Sequence, residues 1–233
     1  MKRVLLKISG EAIGGDSGSG YDTAVIDSLS AQLAEVIGDG AQIGLVVGGG
    51  NIFRGVKGVE SQGFSRVSAD FMGMLATIMN AVALREFFVQ RGLTTTVMTP
   101  LALDEYVLRF NAFDAIRRLE CGELLIFAGG TGHPFFTTDS AAALKACEIQ
   151  ADLLIKATKV DGVYDKDPVK NPDARRFTRL DYTEVMSRSL QVMDLSAVSL
   201  CSGNNIPIRV LNIFEKGAVA AVFAGAEVGT LIS

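Results

Sequence analysis

One pattern limits this chain more than any other: short runs rich in Val, Ile, Leu and Thr alternate with longer stretches of helical spacing, and glycine falls at the junctions. The runs are Arg3 to Ile8, Gln42 to Val47, Thr94 to Met98, Glu123 to Ala128, Asp152 to Ala157, Pro207 to Ile213 and Thr230 to Ile232. Between the first two, Ile26, Leu29, Leu33, Val36 and Ile37 recur at the intervals an amphipathic helix requires. Further helical patterns cover Phe71 to Val89, Asp104 to Leu119, Ser140 to Glu148, Tyr182 to Met186, Leu195 to Leu200 and Gly217 to Phe223. Such a succession implies a mainly parallel sheet covered by helices on both faces, an α/β fold. Runs as continuously apolar as Leu124-Leu125-Ile126-Phe127 fit strands buried on two sides.

At 233 residues the chain can bury roughly 70% of its unfolded surface and needs no disulfide or metal staple. Its polar stretch from Asp161 to Asp181, with Pro168 and Pro172, reads as a solvated insertion, so one domain over residues 1–233 is expected. With 22 Lys and Arg against 26 Asp and Glu, the net charge of -4 offers no broad electropositive surface to nucleic acid or an anionic membrane. Any bound anion must therefore be held by a local site. Cys121, Cys147 and Cys201 match no zinc-ligand spacing and fit reduced thiols in a cytoplasm. Lys7 interrupts the apolar run Val4 to Leu6 before a signal-peptide core could form. The uncharged stretch Phe71 to Leu84 falls short of the ~20 residues a membrane span needs, so a core or subunit-contact helix is expected there.

In open α/β sheets, ligands sit beyond the carboxyl ends of the strands. Three loops at such ends are unusual: Lys7-Ile8-Ser9-Gly10-Glu11, Gly48-Gly49-Gly50-Asn51-Ile52-Phe53-Arg54-Gly55, and Gly129 to Asp139. Glycine lets backbone N–H groups approach a phosphate without a Cβ in the way, and a following helix adds its positive N-terminal end. Glycine pairs also make ordinary tight turns, but three such loops on one sheet edge, two of them with cations, point to anion binding. The common nucleotide signatures are absent: there is no G-x-x-x-x-G-K-[ST], and neither Gly18-x-Gly20 nor Gly48-x-Gly50 continues into the dinucleotide fingerprint.

Four segments, in order and spread over essentially the whole chain, resemble those of bacterial uridylate (UMP) kinases. They are Leu5-Leu6-Lys7-Ile8-Ser9-Gly10-Glu11-Ala12, Gly48 to Gly55, Gly130-Thr131-Gly132-His133-Pro134-Phe135-Phe136-Thr137-Thr138-Asp139, and Lys156-Ala157-Thr158-Lys159-Val160-Asp161-Gly162-Val163-Tyr164. The resemblance implies the amino-acid kinase fold, a three-layer αβα sandwich. It also implies transfer of the γ-phosphoryl of ATP to UMP, giving UDP and ADP in pyrimidine nucleotide biosynthesis. Chemically the obstacle is charge, because an anionic acceptor must approach an anionic donor, so positioning and cationic stabilisation dominate. An ionised phosphate oxygen is already the nucleophile, so no general base is required.

Carried over residue by residue, the resemblance assigns Lys7, Arg54, Asp139 and Asp194 to catalysis, the two aspartates as orienters of lysine. It assigns ATP to Lys7, Ile8, Ser9, Gly10, Gly50, Arg54, Thr158, Tyr164 and Asp167. UMP falls to Gly49, Asp70, Thr131, Gly132, His133, Pro134, Phe135, Phe136, Thr137 and Thr138. Plainer readings stand beside these: Lys7 as a strand-end cation, Arg54 as a surface helix cap, Asp70, Asp139 and Asp194 as N-caps, and Tyr164 as a loop anchor. Relatives usually carry Asn where His133 stands, and a solvent-facing turn residue is the simpler account of this lone histidine. Gly15, Asp16, Ser17, Gly18, Ser19 and Gly20 occupy the place linked to GTP activation, although a polar, glycine-rich loop could also be disordered. The resemblance further implies Mg2+ carried on the nucleotide phosphates, inhibition by UTP and a homohexamer built from dimers. Two alternatives remain: a carboxylate or carbamate kinase of the same superfamily, and a non-catalytic nucleotide-binding storage protein.

Overall fold

The computed structural model describes residues 2–54, 63–103, 105–168, 170–188, 190 and 192–233. Among these described residues nine strands form one sheet: β1 (Arg3–Ile8), β2 (Gln42–Val47), β3 (Thr95–Thr99), β4 (Leu108–Arg109), β5 (Leu124–Phe127), β6 (Leu153–Thr158), β7 (Arg179–Leu180), β8 (Ile208–Asn212) and β9 (Thr230–Ile232). Their order is β4-β3-β5-β2-β1-β6-β8-β9-β7. From β4 to β8 every neighbour pairs in parallel; β9 runs antiparallel to β8, and β7 parallel to β9. The chain leaves β1 toward β2 on one side and later returns to β6 on the other. The carboxyl ends of these three central strands therefore meet at a topological switch point, where open α/β sheets bind ligands.

The helices are α1 (Gly10–Ile13), α2 (Thr23–Gly38), α3 (Arg66–Gln90), α4 (Ala112–Glu120), α5 (Thr138–Glu148), α6 (Tyr182–Ser187), α7 (Leu195–Gly203) and α8 (Ala218–Phe223). Alternation along the strands divides the core in two. Leu6, Ile8, Leu45 and Ile155 face α2, α3 and α8, whereas Leu5, Val46, Leu125 and Leu154 face α4, α5 and α7. Lys7 and Lys156 share the phase of Leu5 and Leu154, so strand geometry alone sends both ammonium groups to the α5 side. By length and composition α3 could cross a bilayer. Here Ala69, Ile78, Ala81, Leu84 and Phe88 are buried instead, and buried Thr77 and Asn80 are hydrogen-bonded within the protein.

Most predicted elements stand within three residues of their expected bounds, and two differ more. Asp104 lies outside the described residues, and the helix expected from it begins only at Ala112, because Asn111 caps it by accepting the Asp114 N–H. Leu108–Arg109 within that span pairs with β3 as an edge strand. The long apolar helix starts at Arg66, five residues before the expected Phe71, where Ser65 accepts the Ser68 N–H. Asp70 is therefore not an N-cap.

Candidate active site

Parallel register sets Lys7 directly beside Lys156 on adjacent strands. Asp139, in the first turn of α5, lies between them, with its Oδ1 2.7 Å from Lys7 Nζ and its Oδ2 2.8 Å from Lys156 Nζ. Lys156 also donates to the Val192 carbonyl. Lys7 and Asp139 are both buried. Burial pushes the Asp139 carboxyl upward, but the two ammonium groups outweigh it and hold the carboxyl below its usual range. Two cations against one anion leave the cluster with a net positive charge, which suits a site that receives phosphate. Sequence reasoning assigned Lys7 and Asp139 but missed Lys156, although it too is a lone cation in an apolar strand.

The loops around this cluster depend on glycine for close approach. A Cβ on Gly10 would stand 2.4 Å from Asn51 Oδ1 and 2.8 Å from both Gly48 O and Gly50 N. The β1–α1 junction can therefore lie directly on the loop after β2. Ser9 caps α1 by accepting the Ala12 N–H at 3.2 Å. In the β2 loop, Arg54 pairs with Glu11 of α1 at 2.6 Å, with both side chains about half exposed, rather than capping a helix. Gly55 lies outside the described residues.

A cleft of about 200 Å3 is bounded by Gly49, Asp70, His133, Phe136, Thr137 and Thr138, all expected on the acceptor side, together with Arg66 and Met74. Asp70 pairs with Arg66 at 2.8 Å and accepts the Phe135 N–H at 2.7 Å. Phe135 has a φ of 72°, so this hydrogen bond fixes a backbone conformation that a bulky residue rarely adopts. Thr131 shapes the same loop by accepting the His133 N–H at 3.2 Å, and the His133 side chain is exposed at the cleft. Gly132 and Pro134 belong to this turn without bounding the cleft.

Thr137 caps α5, accepting the N–H groups of Asp139 and Ser140, and gives its own hydroxyl proton to Asp194. Asp194 occupies the N-cap position of α7, yet its side chain makes no cap hydrogen bond there. It binds the hydroxyls of Thr137 and Ser140, and among the described residues no lysine pairs with it.

On the far side of Lys156, a second cleft of about 720 Å3 is bounded by Thr158, Tyr164 and Asp167, all expected on the donor side, and by Lys156 itself. Tyr164 donates to Asp161 Oδ1 at 2.6 Å, which anchors the loop. This bond, seconded by Arg176, lowers the Asp161 carboxyl; the same bond raises the tyrosine hydroxyl, against the opposing charge of Arg176. The segment 15–20 opens with a short 3-10 turn, Gly15–Ser17, in which Ser17 Oγ donates to the Gly14 carbonyl at 2.9 Å. Thr138 and Lys156, each joined to Asp139 by a peptide bond or an ion pair, thus open onto different clefts, and the charged cluster spans the gap.

The amino acid kinase family model matches residues 2–212. The uridylate kinase of Alcanivorax borkumensis is 48% identical over 230 residues, which is 99% of this chain and 91% of that protein. Among solved structures, the UMP kinase of Bacillus anthracis superposes with a TM-score of 0.96 at 35% identity, covering 100% of this chain and 96% of that one. The Ureaplasma parvum UMP kinase gives 0.92 at 34% identity, covering 100% and 98%. With two clefts meeting at a buried lysine pair on a sheet of this order, the chain belongs to the amino acid kinase family and, within it, to the uridylate kinases.

Proposed function

We propose that the protein transfers the γ-phosphoryl of ATP to UMP, giving UDP and ADP. The observation that carries this reading is the Lys7–Asp139–Lys156 cluster between two clefts, a fixed positive centre where two anionic phosphates must meet. UMP occupies the cleft at Asp70 and the 131–138 loop, and ATP the one at Thr158, Tyr164 and Asp167. Lys7 and Lys156 stabilise the transferring phosphoryl, while Asp139 keeps the two ammonium groups close despite their repulsion. Arg54 leaves Glu11 to brace phosphate with its fork of donors. Asp194 orients the start of α5 through Thr137 rather than through a lysine. The first turn of α5 adds backbone N–H groups and the positive end of its dipole.

Among the described residues no group of three His, Cys, Asp or Glu side chains is set to hold a metal, and both Asp139 oxygens face ammonium groups. That donor set fits Mg2+ that arrives on ATP, with phosphate and water as its ligands; bound so, it neutralises phosphate charge. The whole chain acts as one cytoplasmic unit in this reading. The exposed ladder Val67, Phe71, Leu75, Met79 and Val82 on α3 supports a dimer contact within a homohexamer, and residues 15–20 are the proposed point of GTP action, with UTP as inhibitor. The test is phosphorus NMR of the protein with Mg-ATP: UDP and ADP accumulate in equal amounts when UMP is present. ADP released equally well without UMP would refute the acceptor assignment.

A further inference from the structure

Four segments of the chain converge on one pair of side-chain amides. Asn80, fully buried within α3, donates to the Gly48 carbonyl at 2.7 Å and to Asn51 Oδ1 at 2.7 Å. Asn51, in the loop after β2, donates to Asn80 Oδ1 at 3.1 Å and to the Gly20 carbonyl at 3.0 Å. All four amide hydrogens of the pair are used, and each Oδ1 accepts one. The Asn51 oxygen also lies over Gly10, where a Cβ would stand 2.4 Å from it. The pair therefore touches the β1–α1 junction, the end of the 15–20 segment, the β2 loop and α3.

Only a primary amide meets these demands. Aspartate has no hydrogen to give to the Gly48 or Gly20 carbonyl, and leucine would leave the inner groups unsatisfied, which destabilises each buried group. Neither asparagine bounds either cleft, so neither is placed to touch a nucleotide. Their neighbours Gly49 and Phe53 bound the acceptor cleft. The same loop carries Gly50 and Arg54, and its turn hangs on the Gly49 carbonyl, which accepts the Ile52 and Phe53 N–H groups. A fully satisfied network of this kind, buried at Asn80 and half-buried at Asn51, holds a single arrangement.

We infer that Asn51 and Asn80 are positioning residues for phosphoryl transfer: their interlocked amides fix the loop bearing Gly50 and Arg54 on the β1–α1 junction and tie both to the segment ending at Gly20. The inference rests on the reaction proposed above. Displacement of residues 15–20 reaches Arg54 through one side chain, because the Gly20 carbonyl and the β2 loop share Asn51.

The test compares the parent protein with Asn51→Ala, Asn80→Ala and the double variant, measuring kcat and KM for UMP, and hydrogen exchange at residues 15–20. Asn51→Ala is expected to lower kcat about tenfold at saturating substrates and to raise KM for UMP by a smaller factor, since neither asparagine itself bounds the acceptor cleft. The double variant is expected to be no slower than Asn80→Ala, because the pair acts as a unit. A kcat for Asn51→Ala within twofold of the parent overturns the inference, as do effects that multiply in the double variant. Should Asn80→Ala fail to fold, Asn51→Ala alone decides. A parent that makes no UDP would remove the proposed reaction, and exchange would then decide separately: faster exchange at 15–20 in Asn51→Ala supports the coupling, unchanged exchange refutes it.

Discussion

At the residue scale the site reduces to charge placed by strand phase. Lys7 follows Leu5 and Leu6 in β1, and period-two alternation sends it to the α5 face, where Asp139 awaits it. Replacing Lys7 by Ala should lower kcat by about two orders of magnitude or more, with a modest change in KM for UMP, as removal of a transition-state contact does. Steady-state kinetics with UMP varied at saturating Mg-ATP check this. Asp139 supplies a second prediction. Its carboxyl is held below the ordinary 3.8, so its ionised form stabilises the fold; that contribution is complete above the ordinary value and is lost as pH falls through the lowered one. Denaturant unfolding from pH 5 downward should show the parent's advantage over Asp139→Asn shrinking below about pH 4; an advantage unchanged in acid would contradict it. Lys7 and Asp139 were legible in the sequence because glycine-rich loops flank both. Lys156 was not: its importance arises from its register against Lys7, a pairing between residues 149 positions apart. Asn80 was hidden in the same way, as a polar residue in an apolar helix whose partners lie on other elements.

At the scale of elements, periodic segments were readable and the two-residue strands were not. β4 and β7 contain two residues each, too few for any period, and only their neighbours β3 and β9 define them. The start of α3 was placed late because Ser65 and Ser68 carry no apolar signal, yet their hydrogen bond begins the helix. Asp70, freed from capping, can serve the acceptor loop through Phe135. The β1–α1 junction and the β2 loop lie in close contact, and Gly10 permits it. Gly10→Ala would press a methyl onto backbone atoms of residues 48 and 50 at 2.8 Å. The expected result is a loss of about 1–3 kcal/mol in unfolding free energy together with reduced turnover. Thermal melting and initial rates measure both, and a variant equal to the parent in each would show that the two loops are not in firm contact.

Over the whole molecule, a sheet with β1 at its centre brings loops from β1, β2, β5 and β6 to one edge, which is how an acidic protein can gather anions there. Away from that edge α3 carries an exposed apolar ladder, with Leu75 46% and Met79 58% exposed. Leu75→Glu should dissociate the proposed dimer, and sedimentation velocity would show a smaller species than the parent; an unchanged mass would place the contact elsewhere. The central claim concerns the acceptor, and the most direct measurement offers the parent protein UMP, CMP, acetylglutamate and carbamate separately with Mg-ATP, following product formation for each. The account predicts UDP from UMP, with CMP giving much less product and the carboxylate and carbamate acceptors none. Faster turnover of any of the other three would contradict it.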